Sequence, residues 1–344
     1  MNGNRRLLPL VAMVTGIVVS ILFCGTYLNA AEKIINLTYS NFLPATHKHS
    51  TMIDEWCREL EKRTQGRVKV THYAGGTLTP AAQTYDSVMQ GIADIGLGVP
   101  GYTRGRFSLT EVIDLPLGIK TSYRGTMMAN EFYKTFKPKE LNGVKVLYFN
   151  FAGPGIVHSR QAINKLEDLK GKKIRTQGNI TKVAAALGAV PVAMPMGETY
   201  DALQKGVADG VLCPYESLEG WQLGEVTKYH VENYGSSYVA SFFTVMNKDK
   251  FNSLPKDIQG IIEKMSEEWM VKAGKLWDEI DASGKKFVQK RGNTIIKLSA
   301  AEDQRWAERM KPLLSDYVKM TTKKGLPGKE ALQFCQDYLK KNQK

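Results

Sequence analysis

Residues 164–175 read Asn164-Lys165-Leu166-Glu167-Asp168-Leu169-Lys170-Gly171-Lys172-Lys173-Ile174-Arg175. A short helix ended by Gly171 is followed by a strand that delivers Arg175 at its carboxyl end. In open α/β sheets ligands sit outside the carboxyl ends of the strands, so this register aims Arg175 at a cleft. Downstream, residues 181–187 form a helix and residues 191–194 a strand, and upstream residues 144–151 form another strand. The alternation predicts a mostly parallel or mixed sheet covered by helices.

The same rhythm runs from the amino end. Ile35, Leu37 and Tyr39 alternate with polar residues as in a strand, and Ser40-Asn41-Phe42-Leu43-Pro44 breaks the pattern. Ile53, Trp56, Cys57 and Leu60 then recur at helical spacing between Ser50 and Gly66. Val68 and Val70 form the next strand. Thr79-Pro80 opens a helix that carries Tyr85, Val88 and Met89 inward, and Ile95, Leu97 and Val99 return as a strand. Two α/β lobes result, and Gly153-Pro154-Gly155 is the candidate crossing between them.

The segment from Pro255 to about Lys290 keeps apolar residues at helical spacing, from Ile258 through Met265, Trp269 and Trp277 to Ile280. One helix of that length reaches about 50 Å, more than one small lobe. It either breaks near Gly274 or Gly284 or runs as a strut along both lobes.

The chain of 344 residues is 43% apolar and 24% charged, which excludes disordered and low-complexity classes. Its formal charge of +13 raises the question of nucleic acid, but basic residues interleave with acids, as in Glu59-Leu60-Glu61-Lys62-Arg63, so no nucleic-acid partner is expected. Arg5 and Arg6 precede an apolar run from Leu7 to Phe23, and small residues follow near Ala31. Residues 1–31 read as a secretory signal peptide, with a retained amino-terminal anchor as the competing reading. The mature chain is therefore placed in the periplasm. Cys57, Cys213 and Cys335 remain, an odd and widely spaced set without a legible disulfide framework.

Several motifs carry no chemistry. Gly96-Leu97-Gly98-Val99-Pro100-Gly101 matches a dinucleotide-binding string but leads into a loop, not a helix, and Pro100 removes a donor. His47 and His49 lack further ligands at metal spacing and read as a solvated loop before the first helix. No nucleophile elbow, zincin helix or phosphate-binding loop is present, so neither a catalytic residue nor a cofactor is expected.

The chain resembles the extracytoplasmic solute-binding subunits of tripartite ATP-independent periplasmic (TRAP) transporters, the DctP family. The resemblance rests on Gly75-Gly76-Thr77-Leu78, the turn from Gly91 to Gly96, the stretch from Leu166 to Arg175, Leu187-Gly188-Ala189 and the run from Glu198 to Gly210. It implies a two-lobed, periplasmic-binding-protein-like α/β fold with an interlobe cleft and a long helix spanning both lobes. The implied division gives 32–151 with 240–281 to lobe 1 and 152–239 with 282–344 to lobe 2, both lobes being discontinuous. The family's arginine matching Arg175 clamps the substrate carboxylate, and the further cleft positions fall on Phe42, Tyr102, Arg106, Phe151, Gly153 and Cys213. Members that bind sialic acid carry a second arginine near the crossing and an asparagine before Pro214, where this chain has Gly153-Pro154-Gly155 and Cys213.

The expected function is capture of a small organic monocarboxylate, with an aromatic acid favoured by Phe42, Tyr102 and Phe151, and its delivery to the small and large TRAP membrane permease subunits. Two other uses fit the same residues: a receptor presenting its ligand to a sensor kinase, and an exported α/β enzyme acting on a carboxylate substrate.

Overall fold

A computed structural model describes residues 33–178 and 180–342. The expected signal peptide at 1–31 lies outside the described residues. In chain order the principal elements are β1 (Ile35–Asn41), α1 (Lys48–Arg63), β2 (Val68–Tyr73), α2 (Thr84–Met89), β3 (Ile95–Gly98), α3 (Ser122–Phe136), β4 (Val144–Phe151), β5 (Ile156–Ser159), β6 (Lys173–Thr176), α4 (Ile180–Ala186), β7 (Val190–Ala193), α5 (Thr199–Gln204), β8 (Gly210–Cys213), α6 (Glu216–Gly220), β9 (Tyr229–Glu232), β10 (Ser241–Asn247), α7 (Lys248–Ser253), α8 (Lys256–Lys290), β11 (Thr294–Lys297), α9 (Ala300–Glu308), α10 (Lys311–Lys323) and α11 (Gly328–Asn342).

Two mixed sheets organise two lobes. The first has the order β2-β1-β3-β10-β4, with β1 parallel to β3 and β10 antiparallel to both β3 and β4. The second has the order β11-β9-β5-β8-β6-β7, with β6 parallel to both β7 and β8. The chain passes between the sheets after β4 and returns before β10. These two passages lie side by side: Gly155 N–H donates to Tyr238 O at 2.7 Å and Ala152 N–H to Ala240 O at 3.1 Å.

The long helix does not break. α8 runs 35 residues without interruption and packs on α1 and α3 of the first lobe and on α6 of the second. Its glycines permit close approach. A Cβ on Gly274 would meet Tyr123 Cα at 3.0 Å, and one on Gly284 would meet the Tyr215 carbonyl oxygen at 2.1 Å. Neighbouring backbone occupies the space a side chain would take, which offsets the helix penalty of glycine.

Buried apolar residues form a separate core for each lobe. Met128, Phe132, Val146, Phe149, Phe243 and Val245 centre the first, and Ile156, Leu203, Val211, Leu218, Leu223 and Val288 the second. The carboxyl-terminal helices divide between them. α9 packs on the second lobe, whereas Tyr317 of α10 and Ala331, Leu332, Cys335 and Leu339 of α11 join the first core. Residues 311–342 therefore pack differently from the expected grouping of 282–344 with lobe 2. The apolar stripe of α11 finds its cover on α3, where Phe334 meets Phe136 edge-on with centroids 5.6 Å apart. Met89, expected inward, ends α2 and is 38% exposed.

Candidate functional site

Arg175 lies in β6 with Val192 of β7 and Val211 of β8 as its register partners. Its side chain is among the largest that are fully buried, with 1% exposure. Nε and Nη2 both donate to Met194 O, at 3.1 and 2.7 Å. One edge of the guanidinium is thus fixed to the backbone just beyond β7. Among the described residues no carboxylate comes within ion-pair distance, and the Nη1 end has no protein acceptor. A buried guanidinium that lacks an anionic partner is costly, and its free edge has the geometry to take both oxygens of a carboxylate.

The surroundings are aromatic and come from both lobes. Phe42, Tyr102, Phe242 and Trp277 arrive from the first lobe and α8, and Met196, Pro214, Ser217, Glu216 and Trp221 from the second; with Arg175 they line a cavity of about 30 Å³. That space accommodates a water or two, so a larger guest requires its walls to part. Phe42 stacks on Phe242 at 6.2 Å and 10°, and on Trp221 at 6.4 Å and 23°. Phe242 in turn stacks on Trp277 at 5.0 Å and 20°. Tyr102 meets Phe42 edge-on, and its hydroxyl accepts the Met196 N–H at 3.2 Å across the seam between lobes. A second crossing contact joins Lys182 to Glu111 at 2.7 Å.

Of the seven residues expected at the cleft, Arg175, Phe42 and Tyr102 line this cavity and four lie away from its lining. Phe151 is fully buried in the first core, against Gly125, because it shares a sheet face with Phe149 and Phe243. Gly153 lies against α8, where a Cβ would meet the Asp281 carboxyl at 2.5 Å. Cys213 belongs to the second core; burial pushes its thiol well above the usual range, against a smaller opposing pull from Arg175. Arg106 pairs with Asp86 and lies over the Tyr85 ring, 4.3 Å from its centroid. Its charge is spent there.

The expectation of solvated histidines is also overturned. His47 and His49 are 3% and 2% exposed. His49 stacks on Trp277 with centroids 4.0 Å apart, and burial holds its imidazole well below the usual pKa, in the neutral form. The Nδ1 of His47 accepts the His49 N–H at 3.1 Å, and its Nε2 faces Glu216 Oε1 at 2.7 Å. Among the described residues no group of three or more His, Cys, Asp or Glu side chains could hold a metal ion. None of their helices is long and apolar enough to cross a membrane.

A family model described as bacterial extracellular solute-binding protein, family 7 (DctP), matches residues 39–320. A curated solute-binding protein of Verminephrobacter eiseniae is 29% identical over 268 residues, covering 74% of this chain and 78% of that protein. A crystal structure of a TRAP solute-binding protein from Rhodoferax ferrireducens with copurified benzoate is 29% identical, with a TM-score of 0.85 over 89% of this chain and 98% of its own. A marine metagenome TRAP solute-binding protein specific for aromatic acid ligands, crystallised with 3-hydroxybenzoate, is 30% identical, with a TM-score of 0.86 over 91% of this chain and 100% of its own.

Proposed function

The chain belongs to the bacterial extracellular solute-binding proteins of family 7, the TRAP receptors of the DctP type, and from that premise we propose that its solute is a small aromatic monocarboxylate clamped by Arg175. Members of the family are extracytoplasmic receptors, not enzymes, and work with membrane permease components.

One observation carries the reading: a fully buried arginine, anchored on Met194 O, whose remaining donors have no anionic partner in the described chain. A carboxylate supplied by the solute completes the pair. In a water-excluding cavity the charge-assisted bonds strengthen, and neither charge is tolerable there without the other. The stacked faces of Phe42, Phe242, Trp221 and Trp277 suit a flat apolar ring better than a polyhydroxylated one. The two similar proteins that hold benzoate and 3-hydroxybenzoate point the same way.

Capture then requires motion. We assign the hinge to the paired passages around Gly155 and Tyr238 together with α8. Lobe 1 comprises residues 33–151 with 240–281 and, by the packing of α10 and α11, 311–342; lobe 2 comprises 152–178 and 180–239 with 282–310. The acid enters between parted lobes, pairs with Arg175, and is enclosed as Tyr102 reaches Met196 and Glu111 reaches Lys182. The permease reads the closed form, and the solute favours that form only through its higher affinity for it.

Thermal-shift measurements across aromatic, aliphatic and sugar acids test this reading, because a ligand of the folded state raises stability by mass action. Benzoate and its simple derivatives give the largest shifts. A response confined to sugar acids overturns the aromatic assignment.

A further inference from the structure

The cavity has a second buried charged group, and it has the opposite sign. Glu216, at the start of α6, is 3% exposed and lines the same cavity as Arg175, yet the two do not pair. Its Oε1 lies 2.7 Å from His47 Nε2, and its Oε2 accepts the Ser217 hydroxyl at 3.1 Å. His47 can be assigned a tautomer. A backbone N–H can only donate, so the Nδ1 that faces the His49 N–H is an acceptor, the ring is neutral and its hydrogen sits on Nε2. Among the described residues no lysine or arginine lies within ion-pair distance of Glu216. Its carboxylate therefore meets only neutral donors, and each oxygen retains acceptor capacity.

The cavity thus offers a fork of donors at Arg175 and an acceptor at Glu216, with aromatic residues on the same lining. A plain aryl acid satisfies only the first. We propose that Glu216 is a specificity-determining residue that accepts a hydrogen bond from a hydroxyl borne on the ring of the acid, and that His47 is a positioning residue that holds it across the lobe seam. This rests on the assignment of an aromatic acid to the Arg175 site and narrows it to hydroxyaryl carboxylates. A buried acceptor aimed at a guest rejects the analogue that cannot donate, because its lone pairs then go unmet. An ether oxygen at the same ring position cannot donate, and it brings a lone pair up to a carboxylate.

Calorimetric titration of benzoate, 3- and 4-hydroxybenzoate and the matching methoxybenzoates into the full chain tests the proposal. One hydroxy isomer should bind about tenfold or more tighter than both benzoate and its own methoxy ether, as expected for a hydrogen bond to a charged group. Glu216→Gln keeps the shape and the His47 contact but turns a donor amide toward Ser217 and the cavity; it should erase the hydroxyl preference while retaining benzoate binding. His47→Ala should weaken the preference less than Glu216→Gln does. If the wild-type protein binds all five acids equally, or if the preference survives in Glu216→Gln, the role of Glu216 is refuted while the aromatic-acid reading stands. If the wild-type protein binds none of them, both fall. The comparison of hydroxy with methoxy acids needs no variant, so it holds even if Glu216→Gln fails to fold.

Discussion

Arg175 and Met194 are joined by two hydrogen bonds to one carbonyl oxygen, Nε at 3.1 Å and Nη2 at 2.7 Å. The contact fixes the plane of the guanidinium and leaves its far edge free. A lysine at this position would carry the charge but could not both hold the Met194 carbonyl and present two parallel donors. Arg175→Lys is therefore expected to lower affinity for an aryl acid by about tenfold or more, with circular dichroism unchanged.

The glycine at 284 lets α8 run unbroken past the start of α6. A methyl group there would sit 2.1 Å from Tyr215 O, inside any tolerable contact. Gly284→Ala improves helix propensity by about 1 kcal/mol, yet overpacking costs about 1–3 kcal/mol, so the net change is destabilising. Scanning calorimetry should show a Tm lower by several degrees. Gly260→Ala, on the same helix and with no atom near its Cβ, should raise Tm or leave it unchanged.

Burial pushes the Asp114 carboxyl up to about 7, against hydrogen bonds from Ser241. A folded-state pKa above the unfolded value means that the native protein holds a proton the unfolded chain has released. The stability this group contributes is full below about pH 4 and is lost as pH rises through about 7. Asp114→Asn keeps the acceptor for Ser241 N–H and removes the titration. The wild-type Tm, measured against that variant, should decline between pH 5 and pH 8; parallel profiles would refute the assignment.

Much of the architecture is legible in the chain because its signals are local. The α1 stripe at Ile53, Trp56, Cys57 and Leu60 and the register that brings Arg175 near the carboxyl end of β6 need no knowledge of distant partners. The cavity walls do. Phe42, Phe242, Trp221 and Trp277 come from four separate segments of the chain, and each alone reads as a core residue. Phe151 and Phe242 differ by strand parity: Phe242 pairs with Asn150 and Phe243 with Phe149, so Phe242 shares the face that looks toward α8, and Phe151 the opposite one. A strand apolar on both faces does not announce which side is the cleft. His47 is buried by Glu216, 169 residues away, and His49 by Trp277, so no local pattern separates them from a solvated loop. The residues of α8 alone leave open a break near Gly274 or Gly284 or a continuous strut; the family resemblance implies the strut, and the backbone packed against both glycines accounts for it.

The central claim is that Arg175 is the anion clamp of a closing receptor, and titration of benzoate into wild-type protein and Arg175→Ala tests it most directly. Truncating one partner of a buried charge pair costs about 2–5 kcal/mol. Wild-type protein is expected to bind with a heat that the variant loses, its affinity falling about 30-fold or more. Equal affinity for the acid in both proteins would contradict the account.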